Sequence, residues 1–362
     1  MAIPAVSRSQ ALAWRLRRQH LVAGAADAVE VVRTLAAVSV FGSDPDLSVR
    51  RRLADPGGPG EVQRALTDGR LLRTFSFRGS VQVMAPETAG CYLAVRAAGR
   101  QWALKSWVEH YRLAADDWPD LREVVRDVVA DGPVPPQAVA AALDGHPRFG
   151  HLAAEFSEPN ITLIKPLCWQ GDVVLGPDLG DRLMLQSPEA TLGWAGIPPL
   201  DEAGPRTVLD YVAGYGPTTP EHLTYWLGGG LSAGRSRLTR WWAEVQDRLA
   251  EVDVEGERRW VLAEHVAELV DVRPEGHVAL LPGKDDWVMG PGTKDVWVVP
   301  AGHRTAMTRG ANPVVVDGVV HGTWTVDEEA VTVTCPLSGD AADAEVARLS
   351  TLLGRTLALR TP

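Results

Sequence analysis

Apolar residues recur with helical spacing along the first two thirds of the chain, and short polar turns interrupt them. The clearest example is residues 206–263, where this spacing predicts three helices followed by two short strands. A break at Gly216-Pro217 ends the first of these helices. Thr219 is suited to cap the second helix and Ser232 the third. Three helices followed by a hairpin is the order of a winged helix.

The same order of elements is predicted at two other places. Residues 121–186 contain two helices, a third helix that Pro166 must bend or shorten, and two short strands. Nearer the start of the chain, four helices precede a hairpin over residues 71–87 that turns at Arg78 and Gly79. The sequence therefore predicts three winged-helix units in tandem.

After about Val266 the apolar period changes from 3.6 to 2, which predicts strands in "HVALLP", "DVWVVP", "NPVVVDGVVHGTWTV", "AVTVTCPL" and "TLALR". One helix, "AADAEVARLSTLLG", lies before the last of them. A small β-rich domain should therefore end the chain. The predicted divisions are a first winged-helix unit with connecting helices (1–115), a second unit (116–190), a linker (191–205), a third unit (206–265) and the β-rich domain (266–362).

Composition narrows the function classes. A formal net charge of -10 argues against a protein that coats nucleic acid non-specifically, although it allows a local basic groove. No apolar run approaches the ~20 residues of a membrane span, and the arginine-rich beginning lacks the apolar core of a signal peptide. The three cysteines form no CxxC pair. We expect a soluble, cytoplasmic protein with no metal site and no cofactor.

Four stretches together resemble one known family: "RTFSFRGSVQVMAPE", "VADGPVPPQAVAAAL", "YGPTTPEHLTYWLG", and "VALLPGKDDWVMG" followed by "VVVDGVVHGTW". They are similar to the winged-helix DNA glycosylases of the AlkZ and YcaQ type. The resemblance covers nearly the whole chain. It implies an α+β fold of three tandem winged-helix motifs in a C-shaped arrangement plus a C-terminal β-rich domain. It also implies excision of alkylated bases from DNA without a cofactor.

The family's catalytic signature, Q-x-Q or Q-x-D, follows its second helix, and here the matching positions carry Ser39, Val40 and Phe41. In the family, those polar side chains hold the water that attacks the sugar as the base leaves. Ser39 can still bind a water, whereas Phe41 has no acid–base capacity and is expected to form an apolar wall against a base, an adduct or a metabolite. Gln82 stands where the family's hairpin often bears a substrate-contacting histidine.

Carboxylates near these positions have two interpretations. Asp44 can act as a general base or stabilise positive charge on the sugar, but an Asp before Pro also makes a turn, and Asp46 is placed to cap the next helix. Asp285 and Asp286 match a position where the family has an acidic residue facing its cleft, and turn chemistry explains them almost as well. With Trp287 they are candidate substrate or DNA contacts.

Arginines supply the candidate DNA contacts. Arg50 and Arg51, with the neighbouring Arg52, can grip phosphates beside a flipped base or can form a solvated helix face. Arg78 is expected to face the cleft, because the family's "RG" does so. Arg237 and Arg240 share one helix face and can read a DNA groove, or can be neutralised by the acidic residues of the same segment.

Three functions remain open. The leading one is a DNA-lesion protein that binds damaged or alkylated duplex DNA as a monomer, with weak or absent base excision; if it is an enzyme, it is a monofunctional N-glycosylase-like hydrolase. The second is an enzyme or binding protein for an aromatic small molecule that re-uses the same cleft, favoured by the acidic balance and by 13 tryptophans. The third is a transcription regulator, for which no dimerisation helix is apparent.

Overall fold

The computed structural model describes residues 3–157, 162–177, 182–228 and 233–362. In chain order, its helices are α1 (Arg8–Arg18), α2 (Ala28–Leu35), α3 (Pro45–Arg50), α4 (Glu61–Thr67), α5 (Pro86–Ala97), α6 (Lys105–Tyr111), α7 (Trp118–Val129), α8 (Pro136–Leu143), α9 (Ile164–Trp169), α10 (Leu200–Tyr215), α11 (Pro220–Trp226), α12 (Arg235–Glu244), α13 (Val266–Asp271), α14 (Asp286–Met289), α15 (Arg304–Thr308) and α16 (Asp340–Leu353).

Its strands are β1 (Ala5–Val6), β2 (Val38–Ser39), β3 (Leu72–Phe75), β4 (Val81–Met84), β5 (Val174–Leu175), β6 (Leu185–Gln186), β7 (Leu249–Val254), β8 (Glu257–Leu262), β9 (Val278–Leu280), β10 (Asn312–Val316), β11 (Val319–Val326), β12 (Ala330–Val333) and β13 (Ala358–Arg360). The mixed α+β fold predicted from the sequence is therefore confirmed, including the β-rich sheet near the end of the chain.

The elements form two compact units. Unit 1 contains Met1–Val62, Val208–Trp226 and Thr239–Pro362, and unit 2 contains Gln63–Thr207 and Leu227–Leu238. Each unit therefore combines segments that are far apart along the chain. The five sequential divisions proposed from the sequence follow the motifs rather than these units, and they stay a prediction.

The three predicted strand pairs are present. β3 pairs with β4, β5 with β6, and β7 with β8, all antiparallel. The first pair turns through Phe77–Gly79, as predicted, and both Arg78 and Gly79 have left-handed backbone (φ 56° and 69°). The predicted turn around residues 177–181 and the predicted cap Ser232 lie partly or wholly outside the described residues.

Unit 2 is built around a buried apolar cluster from α7, α8 and α9 and the strands beside them. Within the unit, the strands lie in the order β4-β3-β5-β6. Leu121 and Val125 of α7 pack with Val139 of α8 and Leu167 of α9. α9 has only six residues, which agrees with the expectation that Pro166 shortens it.

Unit 1 contains the predicted β-rich domain and further elements. Its five-stranded sheet has the order β13-β12-β11-β10-β9. β10 and β11 turn at Asp317 and Gly318, whose positive φ values (47° and 86°) suit a tight two-residue hairpin. α16 packs on this sheet through Val346, Leu349 and Leu352. A second, three-stranded sheet joins β8, β7 and the parallel strand β1.

One predicted strand is absent from the described residues. "DVWVVP" is not a strand: the Asp295 side chain accepts the N–H of Trp297 at 2.9 Å and its carbonyl accepts the N–H of Val299 at 2.8 Å, which turns the chain. A short apolar run is compatible with either a strand or a buried turn. α10 begins at Leu200 and contains Pro205, so its first turns lie within the segment predicted as a linker.

Candidate functional site

The segment from Ser39 to Asp44, which we call the site loop, joins α2 to α3 within unit 1. Its beginning is anchored by buried polar groups. The N–H of Ser39 donates to Oδ2 of Asp286 at 3.2 Å, and the buried Tyr215 hydroxyl donates to the carbonyl of Leu35, the last residue of α2, at 2.9 Å. The half-buried Ser39 is therefore held by its backbone.

The end of the site loop is fixed by Asp44, which caps α3. Its Oδ1 accepts the N–H of Leu47 at 2.9 Å, and Pro45 occupies the first helical position. The expectation that Asp46 is the cap is wrong, because Asp46 accepts the N–H groups of Gly60 and Val62 instead. Asp44 is nevertheless exposed, so its proposed catalytic role stays a prediction.

Phe41 lies at the outer part of the site loop and is 72% exposed. The ammonium group of Lys284 lies 4.8 Å from the centre of the Phe41 ring and 3.4 Å from the Phe41 carbonyl oxygen. The two residues are 243 positions apart, so no local sequence pattern predicts this contact. The site loop thus presents an aromatic ring and a cation together.

The prediction that Arg50 and Arg51 bind phosphate is corrected by their burial. Arg50 donates to three carbonyls, including that of Leu352 at 2.9 Å. Arg51 pairs with the buried Glu345, with 2.7 Å between Nη2 of the arginine and Oε2 of the glutamate. Nor do these arginines form a solvated face, since their side chains are 4% exposed. They hold α3 against the C-terminal sheet and α16.

Arg52 and Asp285 form a buried ion pair below the site loop. Two parallel bonds of 2.7 and 2.8 Å join them, and the Ser48 hydroxyl donates to Asp285 at 2.6 Å. Burial alone raises the pKa of the Asp285 carboxyl, but the Arg52 charge and these hydrogen bonds outweigh it and hold that pKa below its usual value. Asp285 is therefore a structural anion at neutral pH.

The predicted substrate contacts at Asp285, Asp286 and Trp287 are corrected in the same way, because all three are buried. Asp286 accepts the N–H of Ser39, and Asp285 caps α14 by accepting the N–H of Trp287 at 2.8 Å. Trp287 belongs to the core and donates to the carbonyl of Gly318. These residues support the site loop from beneath.

The predicted hairpin residues lie in unit 2. Gln82 is buried on β4, and its Oε1 accepts a hydrogen bond from the Ser76 hydroxyl. Arg96 donates to the Ser76 carbonyl at 3.2 Å and lies 3.6 Å from the centre of the Trp169 ring. Gln82 thus takes part in fixing the hairpin, and Arg78 is half-buried at its turn.

Arg237 and Arg240 are both exposed on α12. Arg237 donates to the carbonyl of Ala233 at 2.9 Å, and Arg240 lies 3.3 Å from the carboxylate of Glu244. The intrahelical ion pair agrees with the interpretation that acidic neighbours neutralise part of this helix. Groove binding by these arginines stays a prediction.

Within the described residues, no group of three or more His, Cys, Asp or Glu side chains is arranged to hold a metal ion. Burial raises the pKa of the Cys168 thiol to about 12, so this cysteine is an unreactive core residue. A search of the same part of the chain found no helix with the length and apolar character needed to cross a membrane.

Comparisons with known proteins cover nearly the whole chain. The family described as DNA glycosylase AlkZ-like matches residues 10–357. A protein from Streptomyces sahachiroi, named interstrand DNA cross-link repair glycosylase, is 33% identical over 333 residues, which cover 90% of this chain and 89% of that protein. The solved structure of Streptomyces sahachiroi DNA glycosylase AlkZ superposes with a TM-score of 0.90 at 30% identity, covering 99% of this chain and 100% of that one.

Proposed function

The chain belongs to the AlkZ-like family of DNA glycosylases, and on that premise we propose that it binds duplex DNA carrying a damaged or alkylated base. The observation that carries the proposal is the extent of the similarity, because the family model matches residues 10–357. A protein similar to this chain over most of its length is named a cross-link repair glycosylase. We further propose that the protein binds as a monomer, which light scattering of the complex tests.

The site loop supports a second part of the proposal, that base excision is weak or absent. Hydrolysis of an N-glycosidic bond needs a held water and a group that assists its attack, and such assistance contributes roughly 10²–10⁴ in rate. Ser39 is short and neutral, and Phe41 is apolar. Asp285 and Asp286 are buried and hydrogen-bonded, which leaves Asp44 as the exposed carboxylate of the site loop.

Binding is tested by gel shift with duplexes that differ in a single N7-alkylated purine. We expect tighter binding of the adducted duplex than of the plain one. The comparison is made at two salt concentrations, because the non-specific part of binding weakens with salt and specific contacts to the lesion persist. Equal affinity for the two duplexes, or no binding of either, would contradict the proposal.

Excision is tested by single-turnover assays on duplexes that contain N7- or N3-methylpurines. We expect rates at least about 10²-fold below those of an active glycosylase assayed in parallel. Asp44→Asn is the informative variant, because Asn caps a helix as well as Asp does and so preserves α3. The contrary result would be excision at ordinary rates by the wild type. If that excision were abolished in Asp44→Asn but kept in Asp46→Asn, Asp44 would be the group that assists the attacking water.

One observation favours a second candidate function, binding of a small aromatic molecule. An open pocket of about 350 Å³ lies beside the site loop; Leu47, Trp324, Val326 and Leu353 form its apolar side, and Asp44 and Asn312 also line it. This volume is at the lower end of the range for ligand pockets. Thermal-shift screening of flat aromatic compounds tests it: a ligand-induced rise in Tm, with no effect of adducted DNA, would favour this function over the first.

A further inference from the structure

Phe41 is the most exposed large hydrophobic side chain among the residues that the structure describes. A single exposed apolar side chain is common on protein surfaces and carries no inference alone. Phe41 differs from such a residue in the contacts that hold it in place. Its ring is paired with a cation, and the segments on both sides of it are anchored in the buried interior of unit 1.

Lys284 supplies the cation from a strained turn. Its backbone is left-handed (φ 58°), a conformation that a residue with a side chain adopts only where the surrounding structure holds it. The turn is held on one side by Gly283, whose N–H donates to Oδ1 of Asn312 at 2.7 Å. It is held on the other side by the fully buried pair of Asp285 and Arg52. The fold therefore fixes the direction from which Lys284 approaches the site loop.

Glycines make this approach possible. A Cβ placed on Gly42 would lie 2.7 Å from the Lys284 ammonium, and one placed on Gly283 would lie 2.1 Å from the Gly310 carbonyl oxygen. The lysine side chain therefore lies along bare backbone before it reaches Phe41.

We propose that Phe41 stacks on the exposed face of an unstacked base in damaged duplex DNA, while Lys284 pairs with an adjacent phosphate. The inference rests on the proposed function, since it names the contact that the site loop makes with DNA. Every base offers a flat π-face, and stacking on an aromatic side chain contributes ~1–3 kcal/mol per base. A lysine beside the ring neutralises the phosphate that accompanies the base.

Two kinds of base expose such a face, and both fit the same chemistry. One is the neighbour of a gap, where a base has been displaced or lost, and the other is an extrahelical base itself. A duplex with a tetrahydrofuran abasic analogue represents the first. A duplex with a single-nucleotide bulge represents the second.

The test compares Kd values of wild type, Phe41→Ala, Phe41→Leu and Phe41→Trp for these two duplexes and for a plain duplex. We expect Phe41→Ala to weaken binding of at least one damaged duplex about 5- to 100-fold, in proportion to a lost stack. Phe41→Trp should restore the affinity, and plain-duplex binding should be unchanged. Val296→Ala is the matched control, since Val296 is also an exposed apolar residue of unit 1.

The phosphate contact has its own measurement. Lys284→Met should lower the slope of log K against log salt by about 1 for the damaged duplex, as expected for one lost phosphate contact, and Lys284→Arg should keep the slope. Circular dichroism melting shows whether each variant is folded. Because Phe41 is a surface residue, its variants keep the proposal testable even if the turn at Lys284 tolerates no change.

The outcomes are distinct. If the wild type binds no duplex, the proposed function fails. If the wild type prefers damaged duplexes and Phe41→Ala binds them equally well, the proposed function stands and the stacking inference is overturned. If Phe41→Leu binds as well as Phe41→Trp, an apolar contact replaces stacking and the inference is likewise overturned.

Discussion

At the residue scale, a cluster of charged side chains lies in the interior of unit 1. Three consecutive arginines at the end of α3 are buried, and each has its own partner: carbonyl oxygens for Arg50, Glu345 for Arg51 and Asp285 for Arg52. Moving a charged group from water into the protein interior costs free energy, which only an ion pair and hydrogen bonds of good geometry offset. The bidentate bond between Arg52 and Asp285 meets that condition and at the same time fixes the turn that carries Lys284.

The ion pair gives a prediction for stability. Asp285→Ala leaves the Arg52 charge buried without its partner, so the free energy of unfolding should fall by ~3–5 kcal/mol, measured by urea denaturation. The double variant Arg52→Met/Asp285→Leu should recover much of that loss, because it removes both charges. A double variant as unstable as the single one would contradict this account.

An exposed pair provides the control for this measurement. Lys105 and Glu109 lie one helical turn apart on α6 with their side chains largely in solvent. Screening by water and salt makes such pairs weak, so Lys105→Met should leave the free energy of unfolding nearly unchanged.

Among the secondary-structure elements, the hairpin of β3 and β4 is held near its turn by buried side-chain contacts. Ser76 and Gln82 are joined across it by a hydrogen bond, and Arg96 donates to the Ser76 carbonyl while stacked on Trp169. Burial lowers the pKa of Arg96 to about 10, which leaves it charged at neutral pH. The hairpin therefore holds its turn, with Arg78 in a left-handed conformation, from inside unit 2.

Arg78→Ala is predicted to weaken binding of damaged duplex severalfold at 0.1 M salt and to lower the salt slope by about 1, without unfolding the protein. Gel shift at several salt concentrations measures both effects. Arg100→Ala is the matched control, because Arg100 is an arginine of the same unit with left-handed backbone (φ 43°). Equal losses in the two variants would indicate a general charge effect and no specific role for Arg78.

At the scale of the whole molecule, the half-buried His277 links stability to pH. Burial lowers the pKa of His277 to about 4, and the nearby Arg51 and Arg348 add to this effect against Asp317 and Glu275. The unfolded chain takes up a proton near pH 6.5, whereas the folded chain resists it down to about pH 4. The stability from neutral His277 is therefore present above pH 6.5 and is lost as the pH falls toward 4.

We predict that the wild type loses roughly 1–3 kcal/mol of unfolding free energy between pH 6.5 and pH 4 relative to His277→Gln. Urea denaturation at several pH values measures the difference. The comparison with the variant is needed because the pKa of the buried Glu345 is raised, which acts in the opposite direction. Parallel pH profiles for the two proteins would contradict the prediction.

Much of the architecture was readable from local patterns. The three hairpins, the cap at Thr219, the short α9 and the final sheet follow from apolar period, turn residues and proline positions, all of which act over a few residues. "DVWVVP" failed because an apolar run cannot distinguish a strand from a buried turn, and β1 was missed because two residues carry no period.

Local sequence patterns were sufficient for the α+β class and for the order of helices and hairpins. Tertiary structure alone decided that Arg50 and Arg51 are interior residues, that Asp285 and Asp286 support the loop from beneath, and that Lys284 meets Phe41. Local patterns report how a residue relates to its neighbours in the chain. Burial and ion pairing depend on partners hundreds of positions away, which only the folded chain brings together.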